Sequence, residues 1–284
     1  MPERPRALTH KPVLAFTTTQ VCDALNASFE EYLLPVNFTP VATERRFRSE
    51  HLDPEASQVY MLEDRVAGIV MAARRGWNAR IAAMGVAKPF RHQGVGKHIM
   101  QNAVQDARER GDRRLVLEVF EQNPNAVRLY QSVGFQVTRR LLGFRRPAEA
   151  SVRLERTAHL DQIDPLRFAR VAALESDPDL PWMLAPEGWA AQVAPVRAYA
   201  LEEAAFALVR DTPGDAFILL GLIVHRDQRN QGFGTRMVRA LTALHAGKAC
   251  QIIQIVPENL APGFFKHLGF EALPLNQSEM RLEL

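Results

Sequence analysis

Cysteine is scarce in this sequence. Cys22 and Cys250 are the only two in 284 residues, far apart and in no CxxC pair. That excludes a disulfide framework and a cysteine-rich zinc site, and the expected state is two reduced thiols. Long hydrophobic runs are also missing. The longest, AFILLGLIV from Ala216, is too short to span a bilayer and suits a buried strand. The opening MPERPRALTHKP is polar and proline-rich, unlike a signal peptide, so a cytoplasmic protein with no membrane partner is expected. Charge of one sign is not in excess either: 35 Lys and Arg face 32 Asp and Glu. With no long basic run and no interleaved aromatic stripe, a nucleic-acid partner is not expected. The arginine pairs 74–75, 113–114, 139–140 and 145–146 read as solvated turn charges. The eight histidines show no HxxxH or clustered pattern, so no metal is assigned.

What is present is organised twice over. Val21, Leu25, Phe29 and Leu33 recur every four residues behind a capping threonine, which predicts a helix ended by Pro35. A second helix is expected over VATERRFRSEHL. SQVYMLED, VAGIVMAARR and ARIAAMGVA then read as an antiparallel meander, with turns near Asp64-Arg65 and at Gly76. RHQGVGKHIM opens a helix with Val95, Ile99, Ala103 and Ala107 on one face. A short strand RRLVLEVF, a helix PNAVRLYQSVGF and a returning strand FQVTRRLLGF complete the half. The second half repeats the order, from VRAYALEE through RNQGFGTRMV to SEMRLEL. Arg91 and Arg229 are 138 residues apart, and Gly134 and Gly269 are 135 apart. Two landmarks at nearly one offset indicate a whole-domain repeat. The boundary is placed in RRPAEASVR, giving domains 1–148 and 149–284.

The repeated phrase is a strand, a two-glycine loop and a helix start. Free N–H groups in the first helical turn favour an anion, and glycine lets the backbone close on a phosphate. A Rossmann fingerprint would need glycine where Ile99 stands. A Walker A loop would need Ser or Thr where His98 stands, and an earlier glycine that is absent. The Arg/Gln-x-x-Gly-x-Gly/Ala loop of acetyltransferases that bind coenzyme A matches both 91–96 and 229–234.

The stretch MGVAKPFRHQGVGKHIM followed by LVLEVFEQNPNAVRLYQSVGF resembles the GNAT superfamily of N-acetyltransferases, and the second half resembles it more loosely. The resemblance implies an α/β (α+β) fold of two tandem GNAT-type domains. Each would have a mixed, mostly antiparallel sheet with flanking helices, its fourth and fifth strands splayed. It implies acetyl-CoA as co-substrate, with pantetheine against Met84, Gly85 and Val86. The cofactor loop would be Arg91, His92, Gln93, Gly94, Val95, Gly96 and Lys97, with the diphosphate on Gln93 to Lys97. Asn123 matches the asparagine that contacts the cofactor, and Tyr130 the tyrosine that protonates the leaving thiolate.

The residues read on their own leave alternatives. Tyr130 lies on an apolar face with Ala126, Leu129 and Val133, where periodicity alone makes it a core aromatic. Asn123 also suits a helix cap. On the strand assignment that the resemblance implies, the Val86 N–H is the candidate oxyanion donor. Glu118, Glu63, Asp64 or a water relay are options for the base. The resemblance makes Phe29, Tyr32, Phe38 and the loop around Trp77 candidates for an acceptor pocket, since the family's substrate contacts come from its first helices and hairpin; spacing alone makes the aromatics core residues.

Aligned on the Gly-Phe pairs, Phe265 stands opposite Tyr130, so the first domain is expected to be catalytic. The second would bind CoA without turnover or complete the fold, with the reverse assignment left open. The expected activity is acetyl transfer to a primary amine on a small molecule or peptide, by a monomer or homodimer. The alternative is a non-catalytic acyl-CoA-binding protein.

Overall fold

The computed structural model describes residues 8–148, 159–260 and 262–284. The chain forms two compact units, Met1–Thr138 with Ser278–Leu284, and Arg139–Gln277.

In the first unit β1 (Leu8–Pro12) precedes α1 (Thr18–Ser28). Thr17 and Gln20 close a capping box at the start of α1. The helix ends before Phe29, earlier than the apolar spacing predicts, and Leu33 is exposed. Two causes are local. Glu31 takes a φ of 59°, and the Asn26 amide bonds both the N–H and the C=O of Phe38, which folds the chain back over the helix. Thr39 then caps α2 (Pro40–Ser49).

The strands β2 (Gln58–Leu62), β3 (Arg65–Arg75) and β4 (Asn78–Val86) form the expected antiparallel meander. The register of β4 on β3 slips between Met71 and Ala72, which leaves Ala82 as a bulge. A bulge bends its strand, and the pairing of β4 with its other neighbour is correspondingly short. After α3 (Val95–Glu109), β5 (Arg114–Phe120) pairs in parallel with β4 only from Asn78↔Arg114 to Ile81↔Leu117. Beyond that the two strands part. Ile99 and Met100 of α3 pack with Ile81, Leu117 and Tyr130, the last on α4 (Pro124–Ser132). On the other face, α1 comes so close that a Cβ on Gly85 would lie 2.9 Å from the Ser28 Cβ.

The strand β6 (Gln136–Arg146) starts in the first unit, but from Arg139 it belongs to the second. The second unit adds β7 (Asp161–Ile163), α5 (Pro165–Glu175), α6 (Pro186–Ala190), β8 (Val196–Leu201), β9 (Ala205–Asp211) and β10 (Ala216–Val224). It continues with α7 (Phe233–Leu244), β11 (Ala249–Pro257), α8 (Pro262–His267) and β12 (Glu271–Ala272). Its sheet runs β6-β11-β10-β9-β8-β7, with β12 also on β6. Here too the fourth and fifth strands splay: β10 and β11 pair only over Ala216–Ile218, and the β10 register slips between Leu219 and Gly221. The helices α5 and α6 were not among the elements expected from the sequence, although Asp164-Pro165 is a cap-and-start signal.

The last strand, β13 (Gln277–Glu283), lies beside β5 and is counted from Ser278 with the first unit. The compact units therefore do not follow the division at 148/149, which falls beside residues outside the described set. Chain continuity decides a sequence boundary, whereas any strand of suitable pattern can pair with an open edge.

Both cysteines are free and buried. The paired arginines are more than solvated turn charge. Arg74 bonds Asp112 at 3.0 Å, Arg139 bonds Asp179 at 3.0 Å and Arg145 bonds Asp215 at 2.8 Å, because each lies on a strand next to a carboxylate supplied by tertiary folding.

Candidate active site

At the end of β4, residues 91–97 form a compact turn. The Arg91 Nε donates to the Val86 carbonyl at 3.0 Å and its Nη2 to the Glu30 carbonyl at 2.6 Å. The Gln93 amide donates to the Pro89 carbonyl at 2.8 Å. These two side chains hold the loop itself, while those of His92 and Lys97 are exposed. His92 and Gly94 take φ values of 61° and 81°. A Cβ on Gly94 would meet nothing, so conformation rather than room calls for glycine there. At Gly96 the reason is space, since a Cβ would lie 3.3 Å from Leu129 and 3.4 Å from Val86. Gly94 provides no side-chain cap for α3. The N–H groups of Val95, Gly96 and Lys97 thus sit at an uncapped helix start, suited to an anion.

Met84, Gly85 and Val86 pair with β3 on one edge and have no β5 partner on the other. The Ala87 N–H donates to Ala67 on the β3 side. Alternation along a strand then turns the Val86 N–H toward the gap. Tyr130 projects from α4 with only 8% of its surface exposed. Burial pushes its phenol above the usual range, and Tyr32 adds to the effect. Its hydroxyl has no protein partner among the described residues and is not sealed from open space. Asn123 caps α4, its Oδ1 accepting from the Ala126 N–H at 3.2 Å.

Other candidates are placed apart or are engaged. Glu63 and Asp64 are exposed in the β2–β3 turn. Neighbouring Arg65 lies over Phe90, 5.2 Å from the ring centroid, just before the 91–97 turn. Trp77 stands at the opposite end of β4 from Val86 and stacks under Arg113 at 3.6 Å. At about 3.3 Å per residue along the strand that is roughly 30 Å away, so Trp77 is not part of this site. Glu118 accepts from the Arg80 Nε at 2.7 Å inside a buried ion network. Sequence reasoning missed Arg80 and Glu50. A charge in the apolar stretch ARIAAMGV was the available signal.

The second unit repeats the loop bond for bond. Arg229 donates to Val224 and Glu175 carbonyls, Gln231 to Asp227, and Asn230 and Gly232 take positive φ values. A cavity of about 640 Å³ follows its splayed strands, lined by Trp189, Leu222, Ile252, Phe264 and Phe265 along with the loop. Phe265 stacks on Phe144 at 4.9 Å and has no phenol to offer.

Two matches decide the family. Residues 19–135 match the acetyltransferase (GNAT) family and residues 194–272 the acetyltransferase (GNAT) domain. The chain belongs to the GNAT family, in its tandem-domain form. Among curated GNAT relatives, the streptothricin acetyltransferase of Streptomyces lavendulae is 36% identical over 72 residues, 25% of this chain. The match spans 38% of that protein's own length. A solved GCN5-related N-acetyltransferase from Sphaerobacter thermophilus has a TM-score of 0.68 at 13% identity, covering 99% of this chain and 96% of that one. A tandem GNAT protein from the clavulanic acid biosynthesis pathway has a TM-score of 0.68 at 18% identity, covering 98% of each chain. At these identities the likeness to the solved structures is one of fold. No helix among the described residues is long and apolar enough to cross a membrane. No group of three or more His, Cys, Asp or Glu side chains among them is placed to hold a metal ion.

Proposed function

We propose that the first unit transfers an acetyl group from acetyl-CoA to a primary amine by direct attack on the thioester. One observation carries this reading: an open strand edge ends at an uncapped helix start, with the Tyr130 hydroxyl unpaired nearby. Acetyl-CoA supplies an electrophilic carbonyl with a sulfur leaving group. The N–H groups of Gly94 to Lys97 would hold its diphosphate, and the edge of Met84 and Val86 its pantetheine arm. The Val86 N–H receives the charge that develops on the carbonyl oxygen. Tyr130 gives its proton to the departing sulfur, and the proton that the amine loses as the C–N bond forms and the C–S bond breaks restores the phenol. Asn123 fixes the start of α4 and so the place of Tyr130. The acceptor is a small-molecule or peptide amine.

A second reading is favoured by the cavity in the second unit. That unit binds a CoA thioester and does not turn it over, because Phe265 replaces the acid. Calorimetric titration with acetyl-CoA separates the two units. Gly94→Asp places a carboxylate where the diphosphate would lie and should weaken one binding event at least tenfold, about 1.4 kcal/mol, and abolish turnover. Gly232→Asp should remove a second, weaker event and leave turnover in place. Loss of turnover with Gly232→Asp alone would move the reaction to the second unit. No binding to the unaltered protein would sink the transferase reading.

A further inference from the structure

The face of the first sheet opposite α3 carries four buried or half-buried charges. The Arg80 Nε donates to Glu118 Oε2 at 2.7 Å and its Nη1 to Glu50 Oε2 at 2.9 Å. Arg46 grips Glu50 from above, with Nε to Oε1 at 2.6 Å and Nη2 to Oε2 at 3.2 Å. Side-chain exposure is 9% for Arg80, 6% for Glu118 and 10% for Glu50. Burial would raise the Glu50 carboxyl, but Arg46 and Arg80 outweigh it and hold the group down at about 2. Charges this dry are costly unless every lone pair is met. Glu50 meets that demand on both oxygens. Glu118 does not. Its Oε1 has no protein partner among the described residues, yet it is not a sealed atom.

Position gives this asymmetry a meaning. Glu118 is the first residue of β5 beyond the last pair with β4. Leu117 and Val119 pack toward α3, so Glu118 and Phe120 face the other way, toward α1. There Phe120 lies 6.4 Å from Tyr32, and Tyr32 lies 5.2 Å from Phe29. A carboxylate oxygen is thus left open at the mouth of the gap, beside a half-exposed aromatic wall. Tyr130 approaches the gap from the α3 face.

We infer that Glu118 Oε1 anchors the acceptor's ammonium group, which releases one proton to solvent water before the neutral amine attacks the thioester carbonyl. Arg80, itself fixed through Glu50 and Arg46, is the positioning residue that holds that oxygen toward the gap, and the acceptor's apolar or aromatic skeleton lies against Phe29, Tyr32 and Phe120. The inference rests on the reading of the first unit as the transferase. It names the acceptor class: a cationic primary amine on an apolar skeleton.

The test measures thiol release from acetyl-CoA by the full chain, with phenethylamine as probe and ethanolamine as polar control. Phenethylamine should show the lower KM. Glu118→Gln should raise the phenethylamine KM at least tenfold and leave the acetyl-CoA KM unchanged. Arg80→Lys keeps a charge but cannot reach both carboxylates, and it should reproduce the same split. The double variant should be no worse than the worse single one, because both changes act on one oxygen. A purely structural network predicts otherwise: equal effects on both KM values, and losses that add. That pattern overturns the inference, as does turnover of neither amine or a preference for ethanolamine. Turnover that survives Gly94→Asp would instead overturn the placement of the reaction in the first unit.

Discussion

Tyr130→Phe should lower kcat about 10²- to 10⁴-fold, the range typical of a lost general acid, and leave the KM for acetyl-CoA unchanged. The substitution removes one oxygen and little volume. Tyr130 packs with Phe135, Ile99 and Met280 in the first core, and Phe can occupy the same space. A fall in kcat without a fall in melting temperature therefore reports chemistry. Because burial and Tyr32 push the phenol up, Tyr130 keeps its proton through the pH near 10 where an ordinary tyrosine ionises. The kcat profile should accordingly show no alkaline limb from this group up to that pH. Stopped-flow or steady thiol release on the two proteins checks both points, and an unchanged kcat removes Tyr130 from the mechanism.

Deleting residues 278–284 should abolish turnover and the cooperative unfolding of the first unit. Met280 is fully buried, and Leu282 and Leu284 pack beside it in the cluster that holds Tyr130. The strand is pinned at its end by Arg114 to Glu283 at 2.7 Å and by the Leu284 N–H to the Arg113 carbonyl at 3.0 Å. Removing one buried Met side chain alone costs about 2–5 kcal/mol. Losing a whole strand beside β5 approaches the roughly 5–15 kcal/mol that stabilises a typical domain. For the same reason a fragment ending at residue 148 should not fold, although it contains every residue proposed for catalysis. Thermal unfolding with thiol release checks the claim. A truncated chain that melts and turns over like the full one would show that β13 is dispensable.

The local backbone geometry of the candidate site was legible in the residues alone because its determinants are local. Backbone conformation at Gly94 and Gly232 depends on the residues themselves, and both loops take the same left-handed turn. The apolar faces of α3 and α4 follow from spacing alone. The roles of the loop side chains were not legible. Arg91 and Gln93 look like ligands in a motif, yet they bond carbonyls of Val86, Glu30 and Pro89, two of which come into reach only when α1 and β4 have folded. Glu118 looked like a lone acid because Arg80 and Glu50 lie 38 and 68 residues away.

The sequence by itself determined that the domain occurs twice, that each copy has a glycine loop at a helix start, and that the copies differ at Tyr130 and Phe265. Each of these is written in residues close along the chain. Only the tertiary structure decided which strand lies beside β5, which carboxylate Arg80 meets, and where α1 stops. Strand pairing uses backbone groups that every residue carries. A strand such as β13 therefore cannot name its partner until the chain folds.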